Sequence, residues 1–344
     1  MSINHSHDFF VQWHLTERCN LRCKHCYQSE KYIDEMLFSE IKEVTNEISE
    51  MFNAWSETYD VSLSPSFNVT GGEPFLRNDI FEILQEISDK GFDVYLLSNG
   101  ILINRRKARM LSKIGVKGVQ VSIEGPEEVH EKIRGKGSFS ASLKGVRYLL
   151  DAGIKVTLNV TLSEINADCF IDMVSLSSAV GVQRLGFSRL VPSGRGAGLF
   201  NKMLKKEKLK EIYAAISSLD VKGVEIVTGD PLMSQMSLQV DGNKEDSIAL
   251  GGCAAGVSGI TILPDGTLAP CRRLNLSIGN IRRDSLREVW ANSEVLSLLR
   301  NKQSYKDKCG TCRRWAICRG CRAIAYVCSE NGDFLAEDPQ CFIG

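Results

Sequence analysis

Three thiols stand close together in Cys19-Asn20-Leu21-Arg22-Cys23-Lys24-His25-Cys26. Thiolates at this spacing can wrap one face of an iron–sulfur cubane. Three ligands leave one of its four irons open, and an open iron can bind a small molecule and pass it an electron. The same thiols with His25 can also make a structural zinc site, and spacing alone does not choose between the two. A second field holds eight of the twelve cysteines: Cys253, Cys271, Cys309, Cys312, Cys318, Cys321, Cys328 and Cys341. Its C-x2-C pairs admit zinc as well as iron–sulfur. The remaining thiol, Cys169, reads as a buried free cysteine inside a helix. The first residues carry no apolar signal core, and no apolar run reaches membrane-spanning length. Clustered thiols then point to metal rather than to disulfides, and the cytoplasm is the expected location.

The elements that must hold these thiols alternate strand and helix. Strand-like runs cover 9–15, 66–70, 92–97, 118–123, 154–162 and 183–190, with amphipathic helices between them. Ser39 and Asn78 stand where helix N-caps are expected. Six β-α units argue for a parallel sheet, and alone they also fit an open doubly wound one. Val221–Val227 reads as one more strand, followed by a polar bridge. From 251 the pattern changes to a hairpin, 259–263 with 268–271, and a helix near 284–300. The expected division is therefore 1–220, 221–250 and 251–344. Lys+Arg and Asp+Glu both number 42, so nothing in the charge argues for nucleic acid or a membrane surface.

Thr70-Gly71-Gly72-Glu73-Pro74 follows the second strand-like run. With the C-x3-C-x2-C loop after the first, the chain resembles the radical S-adenosylmethionine (SAM) superfamily. The resemblance implies a partial (β/α)6 TIM-like barrel, open at one side. It implies a [4Fe-4S] cluster on Cys19, Cys23 and Cys26, with SAM chelating the fourth iron. One electron then breaks the S–C5′ bond, and a 5′-deoxyadenosyl radical takes hydrogen from a substrate. It also implies that Gly71, Gly72, Glu73 and Pro74 meet the SAM amino group. Ser122 and Arg134 would meet its carboxylate or ribose, and His25 and Tyr27 its adenine. Ser98, Asn99 and Asn159 lie at or near strand ends, where barrel chemistry gathers. From the residues alone, Gly71-Gly72 and Ser98-Asn99-Gly100 also fit simple turns, and Arg134 a surface arginine.

The second field resembles the SPASM extension of such enzymes, a small cysteine-rich domain with a β-hairpin and short helices that carries two auxiliary iron–sulfur clusters. The marks are Gly266 before Cys271, the C-x2-C-x5-C run from Cys309, Cys318-Arg-Gly-Cys321-Arg-Ala, and Glu337-Asp338-Pro339-Gln340-Cys341. The family usually has three residues between the third and fourth cysteines of that run; here there are two. By analogy Cys309, Cys312, Cys318 and Cys341 hold an outer cluster. Cys253, Cys271, Cys321 and Cys328 hold an inner one that need not be a cubane. Enzymes of this build modify ribosomal peptides or tetrapyrrole side chains, with a flavodoxin or ferredoxin as reductant. A ribosomal peptide is the expected substrate, and a tetrapyrrole in heme synthesis the alternative. So little chain precedes the first strand that a peptide reading calls for a separate recognition protein or for direct leader binding. Arg272 and Arg273 stand where sulfatase-type maturases place an acidic base, which argues against that activity. The arginines can meet substrate carboxylates, or form a solvated basic turn. A scaffold that binds metal without cleaving SAM is the non-catalytic alternative.

Overall fold

A ten-stranded sheet runs through the molecule in the order β10-β9-β8-β1-β2-β3-β4-β5-β6-β7. The structure, a computed structural model, describes residues 7–29, 34–219, 223–236, 248–274 and 276–343. The elements of the barrel are β1 (His7–His14), α1 (Phe38–Tyr59), β2 (Leu63–Thr70), α2 (Ile80–Asp89), β3 (Asp93–Ser98), α3 (Arg105–Ile114) and β4 (Gly118–Ser122). They continue with α4 (Glu127–Arg134), α5 (Ser138–Asp151), β5 (Val156–Leu162), α6 (Phe170–Val180), β6 (Arg184–Arg189), α7 (Lys206–Ser218) and β7 (Glu225–Val227). The remainder comprises β8 (Gly259–Ile262), β9 (Thr267–Ala269), β10 (Gly279–Asn280), α8 (Leu286–Asn292), α9 (Glu294–Arg300), α10 (Asp307–Thr311) and α11 (Arg322–Cys328).

Side-chain alternation sets what each strand shows to the barrel interior. In β5, Val156, Leu158, Val160 and Leu162 are buried in the core, and the intervening Asn159 and Thr161 line the interior cavity. In β4, Val119 and Val121 join the core while Gln120 and Ser122 line the cavity. A one-residue slip in either strand would exchange the two sets. Helices close the outer layer with faces such as Ile80, Ile83, Leu84 and Ile87 of α2.

The six barrel strands form as expected, β7 is the expected extra strand and adds beside β6, and β8 of the hairpin pairs parallel beside β1. Some expectations change. The hairpin is thus part of the barrel sheet, with Phe10 of β1 opposite Gly259. A Cβ at Gly259 would sit 2.4 Å from the Phe10 ring, so this close pairing requires glycine. Ser39 lies inside α1; the N-terminus of that helix is capped by Glu40, whose carboxylate accepts from the Leu37 N–H at 2.6 Å. Asp79, not Asn78, occupies the α2 cap position. The helix near 284–300 is two, divided at Ser293, whose hydroxyl accepts from Leu296 N–H. Cys169 precedes α6 and is only half-buried. Val221 and residues 237–247 of the expected bridge lie outside the described residues. No helix among the described residues is long and apolar enough to cross a membrane.

Candidate active site

The cysteine loop follows β1 and is clamped by the turn after β2. Gly72 N–H donates to Thr16 O at 2.6 Å, and Glu73 N–H to Arg18 O at 2.8 Å. A Cβ on Gly71 would meet Thr16 O at 2.7 Å, and one on Gly72 would meet Arg18 O at 2.2 Å. Neither glycine has a positive φ, so they are needed for close approach to the loop rather than for the turn itself. Cys19, Cys23 and Cys26 all line one cavity. Donors face two of their sulfurs: Leu21 N–H lies 3.4 Å from Cys19 Sγ, and Arg134 Nη1 lies 3.8 Å from Cys23 Sγ. Burial pushes the Cys19 thiol up to about 11 and raises Cys23 as well, so thiolates here need bound metal to hold their charge.

Glu73 is fully buried behind the cavity wall. Its carboxylate accepts from Ser98 Oγ at 2.9 and 3.1 Å, from Asn99 N–H at 2.9 Å and from Phe75 N–H at 3.3 Å. Burial raises its pKa to about 6 against these bonds. The carboxylate thereby ties the end of β2 to the end of β3. Ser98 and Asn99 reach the wall, whereas Glu73 and Pro74 do not. Asn99 Nδ2 bonds Asn20 Oδ1 at 2.7 Å, inside the cysteine loop.

Glu124, fully buried just past β4, gathers a second group. It accepts from Arg134 Nε at 2.8 Å and Nη2 at 2.6 Å, and from Thr161 N–H at 2.8 Å; His25 Nε2 lies 3.2 Å away. Burial alone would raise its pKa, but Arg134 and His25 outweigh burial and hold it well below the carboxylate range. Arg134 is therefore buried, not a surface residue, and it spans Glu124 and the Cys23 sulfur. The zinc alternative asked His25 to join the thiols, and its Nε2 faces Glu124 instead. Among the described residues no three His, Cys, Asp or Glu converge as tightly as one metal ion requires. A cubane holds its thiolates farther apart.

The cavity of the three cysteines is partly open to solvent. Besides the three cysteines, its wall carries His25, Tyr27, Gly71, Gly72, Ser98, Asn99, Ser122, Arg134 and Asn159 of the expected residues. It also carries Arg189, Arg195, Arg272 and Arg273, and among the described residues it has no Asp or Glu. Arg134 and Arg189 are paired with buried acids, whereas Arg272 and Arg273 make no ion pair among the described residues. The Arg272 guanidinium lies 5.6 Å from the centre of the Tyr27 ring. Glu124 stands at a strand end, the one sequence signal that marks it. Nothing local marks Arg189.

In the second field Cys309, Cys312, Cys318 and Cys341 line one cavity. Gln235 Nε2 lies 3.3 Å from Cys341 Sγ and 3.7 Å from Cys318 Sγ, so a residue of the supposed bridge serves this group. The short Cys318–Cys321 spacing is a left-handed turn, with φ +61° at Arg319 and +58° at Gly320. Arg319 holds it by donating to Ala316 O at 3.2 Å and to Cys253 O. Of the inner four, Cys271, Cys321 and Cys328 pack in one small cluster, and Cys253 and Cys271 share another. Cys328 Sγ contacts Met203 Sδ at 3.7 Å.

Residues 13–176 match the radical SAM superfamily, and residues 253–322 match SPASM, an iron–sulfur cluster-binding domain. An AdoMet-dependent heme synthase of Nitratidesulfovibrio vulgaris is 31% identical over 348 residues, spanning 96% of this chain and 91% of the relative. The chain belongs to the radical SAM superfamily. This radical SAM chain is also 30% identical to the mycofactocin maturase MftC of Mycolicibacterium smegmatis, over 97% of its own length and 82% of the relative's. Its fold is similar to that of Streptococcus suis SuiB bound to S-adenosylmethionine, with a TM-score of 0.77, 16% identity, and coverage of 98% of this chain and 78% of SuiB. The chain is an enzyme. It uses a [4Fe-4S] cluster and SAM, and its SPASM domain carries auxiliary iron–sulfur clusters. The three wall thiols and the donors aimed at them fit the first of these.

Proposed function

We propose that this enzyme takes a hydrogen atom from a carboxylate-bearing substrate, and that the substrate is a tetrapyrrole whose propionates meet Arg272 and Arg273. The carrying observation is the cavity wall, which has five arginines and, among the described residues, no acid. Arg134 serves Glu124 and the cysteine loop, and Arg189 is bound to Asp230 and Asp338. Arg272 and Arg273 make no ion pair among the described residues and stand beside Arg195 on the remaining wall, and a planar fork suits carboxylates. Relatives named for tetrapyrrole products support this reading: the heme synthase above and an Fe-coproporphyrin III synthase of Methanosarcina barkeri, 29% identical. When bound, the reduced cluster and SAM supply the radical that removes the hydrogen. The chain's own residues hold the cysteine loop through Gly71, Gly72 and Asn99, and orient the substrate's anionic side. In the same reading Cys19, Cys23 and Cys26 ligate the first cluster, and Ser122, Asn159, His25 and Tyr27 complete the SAM-facing wall. Modification of a ribosomal peptide is the second reading, supported by the likeness to MftC. It would place acidic or terminal carboxylates on the same arginines.

Anaerobic titration of the reconstituted enzyme with iron coproporphyrin III and with its tetramethyl ester tests the proposal. A Soret shift that the ester does not produce, with 5′-deoxyadenosine formation stimulated by the free acid, is the expected result. Equal binding of the ester, or stimulation only by an acidic peptide, would overturn it.

A further inference from the structure

Arg189, at the end of β6, is 1% exposed, and Asp338, before the last cysteine, is 0% exposed. They form a two-pronged pair, with Nη1 to Oδ1 at 3.0 Å and Nη2 to Oδ2 at 2.7 Å. Arg189 Nε bonds Asp230 at 2.6 Å, and Nη1 also bonds Gln340 Oε1 at 2.8 Å. Arg189 is a wall residue of the substrate cavity, and Asp338 is a wall residue of the cavity of Cys309, Cys312, Cys318 and Cys341. The same carboxylate accepts the N–H of Cys321 at 2.8 Å, and the Asp338 backbone O accepts that of Cys341 at 2.9 Å. One ion pair thus crosses the partition between the radical site and both auxiliary cysteine groups. The packing around it leaves no room for change: a Cβ on Gly320 would lie 2.7 Å from Asp338 Cβ and 2.6 Å from Arg322 Nη2.

We infer that the Arg189–Asp338 pair sets the reduction potential of the auxiliary clusters. Its negative end lies against the cysteine groups and its positive end against the substrate cavity. Adding an electron to a cluster beside a buried carboxylate is disfavoured, and water is absent to screen that charge. The nearby guanidinium offsets part of the effect. Removing Arg189 therefore leaves the carboxylate uncompensated and lowers the potential. Removing the charge of Asp338 raises it. Both residues act through the cluster ligands and are positioning residues. The inference rests on the auxiliary clusters and not on the identity of the substrate.

Potentiometric titration followed by electron paramagnetic resonance, without substrate, tests this on the full chain with all clusters reconstituted. Arg189→Met, Arg189→Lys, Asp338→Asn and Asp230→Asn are compared at matched iron content. The expected result is a downward shift for Arg189→Met, an upward shift for Asp338→Asn, and near wild-type behaviour for Arg189→Lys. Asp230→Asn removes the other acid from Arg189 and touches no cysteine group. It carries the upward prediction if Asp338→Asn fails to hold iron. Opposite signs for the two charge removals are something a merely structural pair would not produce. Potentials unchanged in every iron-retaining variant, or shifts of one sign throughout, would overturn the inference.

Discussion

Gly72 passes so close beneath Arg18 that a methyl group there would come 2.2 Å from the Arg18 carbonyl oxygen. The contact locks the turn after β2 to the loop that carries Cys19, Cys23 and Cys26. Gly72→Ala must displace that loop. The expected outcome is loss of about four irons per chain and of 5′-deoxyadenosine formation, with the auxiliary irons retained. Gly91 is the control, because its φ of +81° lies in open space. Gly91→Ala should cost about 1 kcal/mol of stability and leave the iron count intact. Equal iron loss in the two variants would separate the Gly72 contact from cluster assembly.

Arg272 and Arg273 follow a cysteine of the hairpin, line the cavity and make no ion pair among the described residues. Replacing either by Gln should raise the Kd for a propionate tetrapyrrole by about 10- to 100-fold, the range of one charge-assisted hydrogen bond. Spectral titration reads this directly. Arg272→Lys should recover only part of the loss, because an ammonium cannot make the planar fork.

Cys321 and Cys328 are seven residues apart along α11, which places them about 10 Å apart along the helix axis. Cys321 N–H is held by Asp338, whereas the Cys328 sulfur packs on Met203. Cys321→Ala is expected to lose an auxiliary cluster, and Cys328→Ala to keep its iron. Iron and sulfide analysis of the two purified variants decides the matter, and a matching loss in both would make Cys328 a ligand.

His130 is buried and accepts from Glu124 N–H at 3.2 Å. Burial, followed by the charge of Arg134, lowers its pKa to about 4. A folded-state pKa below the unfolded value of 6.5 means that the unfolded chain takes up the proton first. The stabilising contribution is present above pH 6.5 and is lost as pH falls toward 4. Between pH 7 and pH 5 it amounts to about 2 kcal/mol. In His130→Asn the amide oxygen can still accept from Glu124 N–H. Urea unfolding of the metal-free protein should show a smaller loss of stability over this range in the variant, by about that amount. Equal losses in the two proteins would mean that His130 titrates normally.

Much of this architecture was readable in advance because it is local. Alternation in Val156–Leu162 and the 3.6-residue spacing in α2 depend on neighbours a few residues away, and both elements formed as expected. The cysteine spacing and the two glycines identified the site for the same reason. What was not readable depends on partners far along the chain. Nothing near Arg189 announces Asp338, 149 residues later, and nothing near Phe10 announces Gly259. Ser39 looked like a cap by residue type, but the carboxylate of Glu40 closes that end of α1 from one residue further on. Arg134 resembled any surface arginine until Glu124 was placed beside it.

The pairing of β1 with β8 also orders events during synthesis. β1 is made before the strands that flank it, gains β2 as a neighbour some fifty residues later, and stays uncovered along its other edge until residues 259–262 have left the ribosome. The cysteine loop hangs from that half-paired strand throughout. Its seat is therefore finished only after all six strands β2–β7 have been translated, and a nascent chain stalled before β8 presents an open strand edge directly beside the cysteine loop.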